Sequence, residues 1–160
     1  MKELLRLLEQ NGNMTAAELA AVTGRDEAEI AETLRECEEK KIILGYRALV
    51  DWERAGVEAA TAQIDLKVTP QRGEGFARVA ERICQYDEVE SVALMSGGGF
   101  DLAVTITGRS LREVALFVAE KLAPLDCVTS TATHFVLKKF KEGGVRLAER
   151  VGEQERLTRL

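Results

Sequence analysis

The sequence contains little of what most enzyme centres and membrane anchors require. Its single histidine is His134, so a histidine-based metal site or a Ser-His-Asp triad would depend on that residue alone. The three cysteines, Cys37, Cys84 and Cys127, are odd in number and far apart, which predicts no disulfide framework and no zinc site but reduced, buried thiols. No apolar run approaches the roughly 18–20 residues of a membrane-spanning helix, and no signal peptide is visible. We therefore expect a cytoplasmic, non-enzymatic protein with no metal, no cofactor and no membrane partner.

Positive charge is scarce in the first third of the chain. Of the 160 residues, 46% are apolar and 31% are charged, a balance typical of globular proteins. The formal net charge is −5, and residues 1–53 contain seven Lys/Arg against twelve Asp/Glu, whereas residues 54–160 contain fifteen of each. The whole excess of acid therefore lies in the first third, which excludes a generic basic patch for nucleic acid there.

Apolar spacing in the first third predicts three helices, over 2–10, 16–22 and 26–40. Thr15 and Asp26 are each followed three residues later by Glu, which is the spacing of a capping box. Gly24 suits a tight turn between the second and third helices, and Leu19 and Val22 are expected to face inward. A β-type segment over 42–48 follows. We interpret residues 1–50 as a winged helix-turn-helix, with a plain three-helix bundle as the alternative.

The third helix is an unusual element to meet DNA, because residues 25–41 contain four Lys/Arg against seven Asp/Glu. Phosphate contacts need cations, so we expect DNA binding there to be weak, salt-sensitive or dependent on many subunits. The side chains able to contact double-stranded DNA are Arg25, Thr33, Arg35, Lys40, Lys41 and Arg47.

After a polar connector over 51–57, the pattern is strand, helix, strand, strand, helix, strand. Alternating or helical apolar spacing marks these elements over 60–68, 75–85, 89–95, 102–108, 110–122 and 128–137. The fold class is thus α+β, with residues 58–141 forming a ferredoxin-like βαββαβ domain that has both helices on one face of its sheet. We expect Phe135, Leu137, Thr131 and Thr133 on the other face, covered by a second subunit.

Residues 142–160 form a charged tail after Gly143 and Gly144. Val145, Leu147, Ala148 and Val151 suggest a weak amphipathic helix there, and a frayed tail is the alternative.

Residues 1–142 resemble the Lrp/AsnC, or feast/famine, family. The segments that carry the resemblance are 7–12, 18–20, 22–24, 38–46, 98–102 and 131–138. No single segment is strong, but two domains in this order with this connector make the match specific. The resemblance implies a transcription regulator that binds double-stranded DNA and assembles as homodimers, often octamers. It also implies that amino acids or related effectors bind between neighbouring sensing domains, called RAM domains.

The glycine-rich loop agrees with such an effector site. Glycines can expose backbone N–H groups to a carboxylate, Asp101 can take an ammonium group, and threonine hydroxyls can complete the contact. The candidate effector residues are Ser96, Gly97, Gly98, Gly99, Phe100, Asp101, Thr131 and Thr133. The alternative is a tight β-hairpin with nothing bound.

Two other functions compete with a DNA-binding regulator. The acidic third helix suits an oligomeric small-molecule-binding module with lost or weak DNA binding. Some relatives of this fold resemble decarboxylases that act on sirohaem, but here only His134 is available for such chemistry. That enzymatic interpretation is the weaker of the two.

Overall fold

The computed structural model describes residues 1–69 and 75–147, and its chain divides into two compact units, Met1–Val50 and Asp51–Leu160. The first unit is helical and the second contains the sheet. No helix in the described ranges is both long enough and apolar enough to cross a membrane.

Three helices form the first unit: α1 (Lys2–Gln10), α2 (Ala16–Thr23) and α3 (Glu27–Glu39). Leu4, Leu8, Leu19 and Ile30 are buried together and make its core. The prediction that Val22 faces inward is wrong, since 62% of its surface is exposed. Residues 16, 19, 20 and 23 define the inward stripe of α2, and position 22 lies at its rim, because successive residues turn by 100°.

The helix caps follow the sequence closely but not completely. The Thr15 side chain accepts from the Glu18 N–H, and the Glu18 carboxylate accepts from the Thr15 N–H at 2.8 Å, so this capping box is confirmed. The Asp26 carboxylate accepts from the N–H groups of Ala28 and Glu29. The reciprocal bond expected from Glu29 is absent, because the Glu29 carboxylate pairs with Arg25 at 2.6 Å.

The predicted β-type segment over 42–48 is wrong, since the described chain has no strand before Ala60. A strand needs a partner for its backbone groups, and the first unit offers only helices. All residues of this segment except Ile43 are exposed, among them Leu44, which is 87% exposed, and Tyr46, whose hydroxyl donates to Glu38 at 3.0 Å.

The second unit has the predicted βαββαβ order, which confirms the ferredoxin-like fold. Its elements are β1 (Ala60–Val68), α4 (Phe76–Ile83), β2 (Val89–Leu94), β3 (Leu102–Gly108), α5 (Leu111–Phe117) and β4 (Val128–Phe135). The sheet order is β2-β3-β1-β4, and every neighbouring pair is antiparallel. A π-helical turn, Val118–Leu122, extends α5.

One face of this sheet carries the core. The alternating residues Ile64, Leu66, Val104 and Ile106 are at most 1% exposed and pack under α4 and α5. Each such side chain contributes roughly 1.5–3 kcal/mol relative to an exposed one. Two-residue periodicity in β1 and β3 therefore fixes which face the helices cover.

The strand register corrects the predicted orientation of the β4 side chains. Thr133 lies opposite Ile64, Thr131 opposite Leu66 and Phe135 opposite Ala62. Because directly opposed residues point to the same side, these three share the helix-covered face, not the open one as predicted. Leu137 lies beyond β4 and is 95% exposed.

The open face of the sheet is built from small and polar side chains. The paired residues facing this side are Thr61, Gln63, Asp65, Lys67, Ser91, Ala93, Ala103, Thr105, Thr107, Ser130, Ala132 and His134. An antiparallel sheet of this composition tolerates water on one face.

A short hairpin of β5 (Lys141–Glu142) and β6 (Val145–Arg146) follows β4. The helix predicted across Val145 and Leu147 is therefore wrong, and its other members, Ala148 and Val151, lie outside the described residues. The cysteines are all free. Cys37 is buried and Cys127 is half-buried, but Cys84 is exposed, which contradicts its expected burial.

Candidate functional site

The helix pair α2–α3 has the geometry of a helix-turn-helix. Gly24 ends α2 in the left-handed region at φ 67°, and its N–H donates to the carbonyl of Ala20. Asp26 then caps α3 only two residues later. The turn is short because glycine can hold this conformation and Asp26 supplies the next helix's first acceptor.

Arg35 on α3 and Lys40 at its C-terminal end form ion pairs with glutamates of the same helix. Arg35 contacts both Glu32 and Glu39, the latter at 2.6 Å, and Lys40 contacts Glu36 at 2.7 Å. The hydrogen bond from Arg35 holds the pKa of Glu32 below its ordinary value, and Glu36 raises the pKa of Lys40. These charges therefore neutralise one another along the exposed helix surface. A phosphate must compete with a carboxylate for each of them.

The remaining candidate DNA contacts differ in their surroundings. The Thr33 hydroxyl donates to the Glu29 carbonyl at 2.8 Å, so its hydrogen is used within the helix. Arg25 pairs with Glu29. Lys41 lies where the chain leaves α3, and among the described residues it is the one non-glycine residue with a positive φ, 55°. Arg47 is exposed and lies in the segment over 42–48, which forms no strand.

In the second unit, the glycine loop joins β2 to β3 in an open conformation. Gly97, Gly98 and Gly99 have φ of 96°, 77° and 82°, and a Cβ at any of them would meet nothing within 4 Å. Glycine is needed here for its backbone freedom and not for close packing. No backbone N–H of these three residues reaches an acceptor among the described residues, so they stay available to an anion.

Asp101 anchors this loop to the end of β1. Its N–H donates to the Leu66 carbonyl at 2.9 Å, and its carboxylate accepts from the Val68 N–H at 2.8 Å and from Lys67 Nζ at 3.2 Å. The hydrogen bond from Val68 N–H, followed by that from Lys67, lowers the pKa of Asp101. The carboxylate thus has partners within the chain, which the sequence did not reveal. Two of its roughly four acceptor positions remain for an ammonium group.

Among the other predicted effector residues, Thr131 lies near the same end of the sheet, and Thr133 lies opposite the middle of β1. Thr131 faces Leu66 across β4 and β1, whereas Asp101 adjoins Leu66 from the β3 side. Two strand spacings, roughly 10 Å, therefore separate Thr131 from the loop. Thr133 lies two residues farther along β4, and both threonines are half-buried. Ser96 is exposed and Phe100 half-buried.

A polar cluster on the open face escaped the sequence analysis. His134 Nε2 lies 3.3 Å from Asp65 Oδ2, and the Gln63 side-chain amide donates to Asp65 Oδ1 at 3.0 Å. Alternation placed Gln63 and Asp65 on one face of β1, but only the register with β4 brings His134 beside them. Pairing between strands far apart in sequence leaves no local signal.

Other surfaces carry less specific chemistry. An open groove of about 590 Å³ along α5 has walls of mixed charge, including Arg109, Glu113 and Lys121, and none of the predicted effector residues lines it. Within residues 1–69 and 75–147, no group of three His, Cys, Asp or Glu side chains is arranged to hold a metal ion.

Comparison with known proteins relates both units to regulators. Residues 61–145 match the Lrp/AsnC ligand binding domain, which covers more than half of the chain. The uncharacterized HTH-type transcriptional regulator YugG of Bacillus subtilis is 47% identical over 143 residues, which are 89% of this chain and 86% of that protein.

Two solved structures of complexes with L-methionine share the fold. The feast or famine regulatory protein of M. tuberculosis, complexed with L-methionine, has a TM-score of 0.71 at 21% identity, covering 87% of this chain and 90% of that one. A transcriptional regulator of Neisseria meningitidis, also complexed with L-methionine, has a TM-score of 0.68 at 23% identity, covering 87% and 88%.

Proposed function

This chain belongs to the Lrp/AsnC family of transcriptional regulators, and we propose that it binds double-stranded DNA through α2 and α3 and senses an amino acid at its glycine loop. The observation that carries the proposal is the capped helix pair joined at Gly24, in a chain whose second unit matches the family's ligand-binding domain. α3 would lie in the major groove, with α2 across the backbone.

For DNA contact we propose the same set as the sequence indicates: Arg25, Thr33, Arg35, Lys40, Lys41 and Arg47. The ion pairs of Arg35 and Lys40 are solvent-exposed, and exposed pairs contribute little to stability. Phosphates can therefore take over these cations at modest cost. Affinity should be low for one chain and depend on several chains acting together.

For the effector we propose an α-amino acid. The open N–H groups of Gly97, Gly98 and Gly99 suit its carboxylate. Hydroxyls are offered by Thr131, near the same end of the sheet, and by Thr133, opposite the middle of β1. Asp101 holds the loop in place and has acceptor capacity left for the ammonium group. Ser96 and Phe100 border the loop. The L-methionine complexes of the two structural neighbours support this class of ligand.

We propose assembly into homodimers through the open sheet face, and of such dimers into octamers. Ala93, Ala103 and Ala132 give that face a flat centre, so the sheet of a second copy can approach to roughly 10 Å. A shared face of this kind would be self-complementary about a two-fold axis. A DNA-binding protein of this sort acts in the cytoplasm.

Titration of a labelled duplex from the gene's own upstream region tests the proposal. We expect fluorescence anisotropy to show binding at 50–100 mM salt, and at least one L-amino acid to change the Kd by about 5–150-fold, the usual range of allosteric coupling. As a control, Gly98→Ala should weaken the amino-acid effect while ligand-free DNA binding persists, because alanine is strained at φ 77°. Absence of binding at low salt, with and without the amino acids, would contradict the proposal.

A further inference from the structure

The hairpin that follows β4 is a well-defined element at the end of the described chain. Gly143 and Gly144 both have positive φ, 51° and 82°, as the two central residues of a type I′ turn require. Lys141 pairs with Arg146 and Glu142 with Val145, and the Leu147 N–H donates to the Phe140 carbonyl at 3.0 Å. The turn and the ladder together fix which side chains stand side by side.

This hairpin carries a positive charge that the rest of the chain lacks. Residues 138–147 contain four Lys/Arg against one Asp/Glu, whereas residues 1–137 contain fifteen against twenty-three. The segment therefore stands out as a basic element on an acidic protein. Its cations are Lys138, Lys139, Lys141 and Arg146.

Two of these cations face each other with no counter-charge among the described residues. Lys141 and Arg146 are directly opposed across the ladder, and both are exposed. Like charges in this position repel. Neither forms an ion pair with another described residue, whereas Lys139 is neutralised by Glu142 at 3.0 Å. An anion seated between Lys141 and Arg146 would remove the repulsion.

Phe140 gives the same element an aromatic surface. Its ring is 61% exposed, and the ammonium group of Lys138 lies 5.7 Å from the ring centroid. A cation over a ring is held near one position. The hairpin thus presents ordered positive charge beside a flat apolar surface.

We propose that this basic hairpin, residues 138–147, is a second DNA contact that binds the phosphate backbone, with Lys141 and Arg146 as its central residues. The inference rests on the proposed function. It adds cations that form no ion pair among the described residues, whereas Arg35 and Lys40 at α3 are paired with glutamates. Phosphate contacts position a protein on DNA without reading sequence, which suits an element outside the helix-turn-helix.

The test measures the salt dependence of DNA affinity for the full chain and for Lys141→Gln/Arg146→Gln. We expect the wild type to bind a duplex with a steep loss of affinity as KCl rises. The variant should bind more weakly, by about tenfold for each lost contact near 0.1 M salt, and its slope of log K against log[KCl] should fall by about 0.9 per contact. The charge-preserving exchange Lys141→Arg/Arg146→Lys should restore the wild-type slope.

A matched control removes two cations elsewhere in the same unit. Arg112→Gln/Lys121→Gln changes the net charge equally on the α5 groove and should leave the slope unchanged. An equal loss in both variants, or an unchanged slope in the hairpin variant, overturns the inference while the proposed function stands. If the wild type itself fails to bind any duplex at low salt, the proposed function fails. Loss of binding to phosphatidylserine vesicles, with DNA binding intact, would instead assign the hairpin to membranes and overturn the inference.

Discussion

At the scale of single residues, Asp101 is both a predicted effector-binding residue and a structural anchor. The sequence marks this aspartate as an ammonium ligand, but its carboxylate already accepts from the Val68 N–H and from Lys67. These bonds tie the glycine loop to β1. An effector that contacts the loop would therefore act on the strand connection and not on a free flap.

The pKa of Asp101 leads to a prediction on acid stability. Because its folded-state pKa is lowered, Asp101 stabilises the fold above the ordinary aspartate pKa of about 3.9, and this contribution is lost as the pH falls through the folded value. We expect Asp101→Asn to lower the urea midpoint at pH 7, and the gap from wild type to narrow as the pH falls below the ordinary aspartate pKa.

The exposed Asp87, for which no hydrogen bond is found in the described chain, provides the control for this measurement. Asp87→Asn should lower the urea midpoint at pH 7 less than Asp101→Asn does. A gap for Asp101→Asn that stayed constant down to pH 3 would show that the carboxylate charge has no part in holding the loop.

Prediction from single residues succeeded where a backbone conformation requires one residue type. Three consecutive glycines predicted a loop that depends on glycine, and their positive φ values confirm it. The sequence did not reveal the hydrogen-bond partners of Asp101, because Val68 and Lys67 lie more than thirty positions earlier and only the fold brings them close. The same limitation hid the pair of His134 and Asp65.

At the scale of elements, α3 combines the shape of a recognition helix with the charge of an ordinary surface helix. Its ion pairs have the i,i+3 and i,i+4 spacing that stabilises exposed helices. The acidic side chains therefore have a local structural role, which explains why acidity and a helix-turn-helix occur in one segment. The consequence is that a phosphate must displace a carboxylate before it can contact Arg35 or Lys40.

Freeing these cations should strengthen DNA binding. In Glu32→Gln/Glu36→Gln, Arg35 keeps only Glu39 and Lys40 loses its partner. If both cations then contact phosphates, the slope of log K against log[KCl] should steepen by up to about 1.8 per chain, with a gain in affinity of up to roughly a hundredfold at 0.1 M salt. Anisotropy titration at several KCl concentrations measures both quantities.

The matched control is Glu3→Gln/Glu9→Gln on α1, which removes the same charge from the same unit but breaks no ion pair among the described residues. It should leave the salt slope unchanged. Equal gains in the two variants would mean that net charge, and not release of Arg35 and Lys40, governs the interaction.

Helices and strands with a periodic apolar pattern were predictable from the sequence. Strands that depend on which segment they pair with were not. The capped helices and the alternating strands β1 and β3 lie where the spacing placed them. The segment over 42–48 has strand-like residues but no ladder partner in its unit. Conversely, β5 and β6 are two residues long, too short for any alternation, and the Gly143–Gly144 turn creates them.

At the scale of the whole molecule, one chain joins a helical unit with an excess of acid to a sheet domain that ends in a basic hairpin. The sequence predicted both architectures but assigned Thr131, Thr133 and Phe135 to the wrong face of the sheet. Alternation in β4 allows either assignment, since both sets mix polar and apolar residues, and only the pairing with β1 decides between them. The open face is consequently flatter and more polar than expected.

This flat face leads to the last prediction, on assembly. Ala103 lies at its centre, opposite Asp65 on β1 and Ala93 on β2. If a second copy packs there, Ala103→Arg should place a bulky charge between the sheets and shift the protein toward single chains of 17.6 kDa in sedimentation velocity. The control Ala77→Arg, on the exposed side of α4, should sediment as the wild type does.

Because weak contacts on separate chains multiply only when the chains are joined, Ala103→Arg should also weaken DNA binding, although it alters no DNA-contacting side chain. A variant with unchanged mass would place the subunit interface elsewhere, and one with reduced mass but full DNA affinity would show that a single helix-turn-helix suffices.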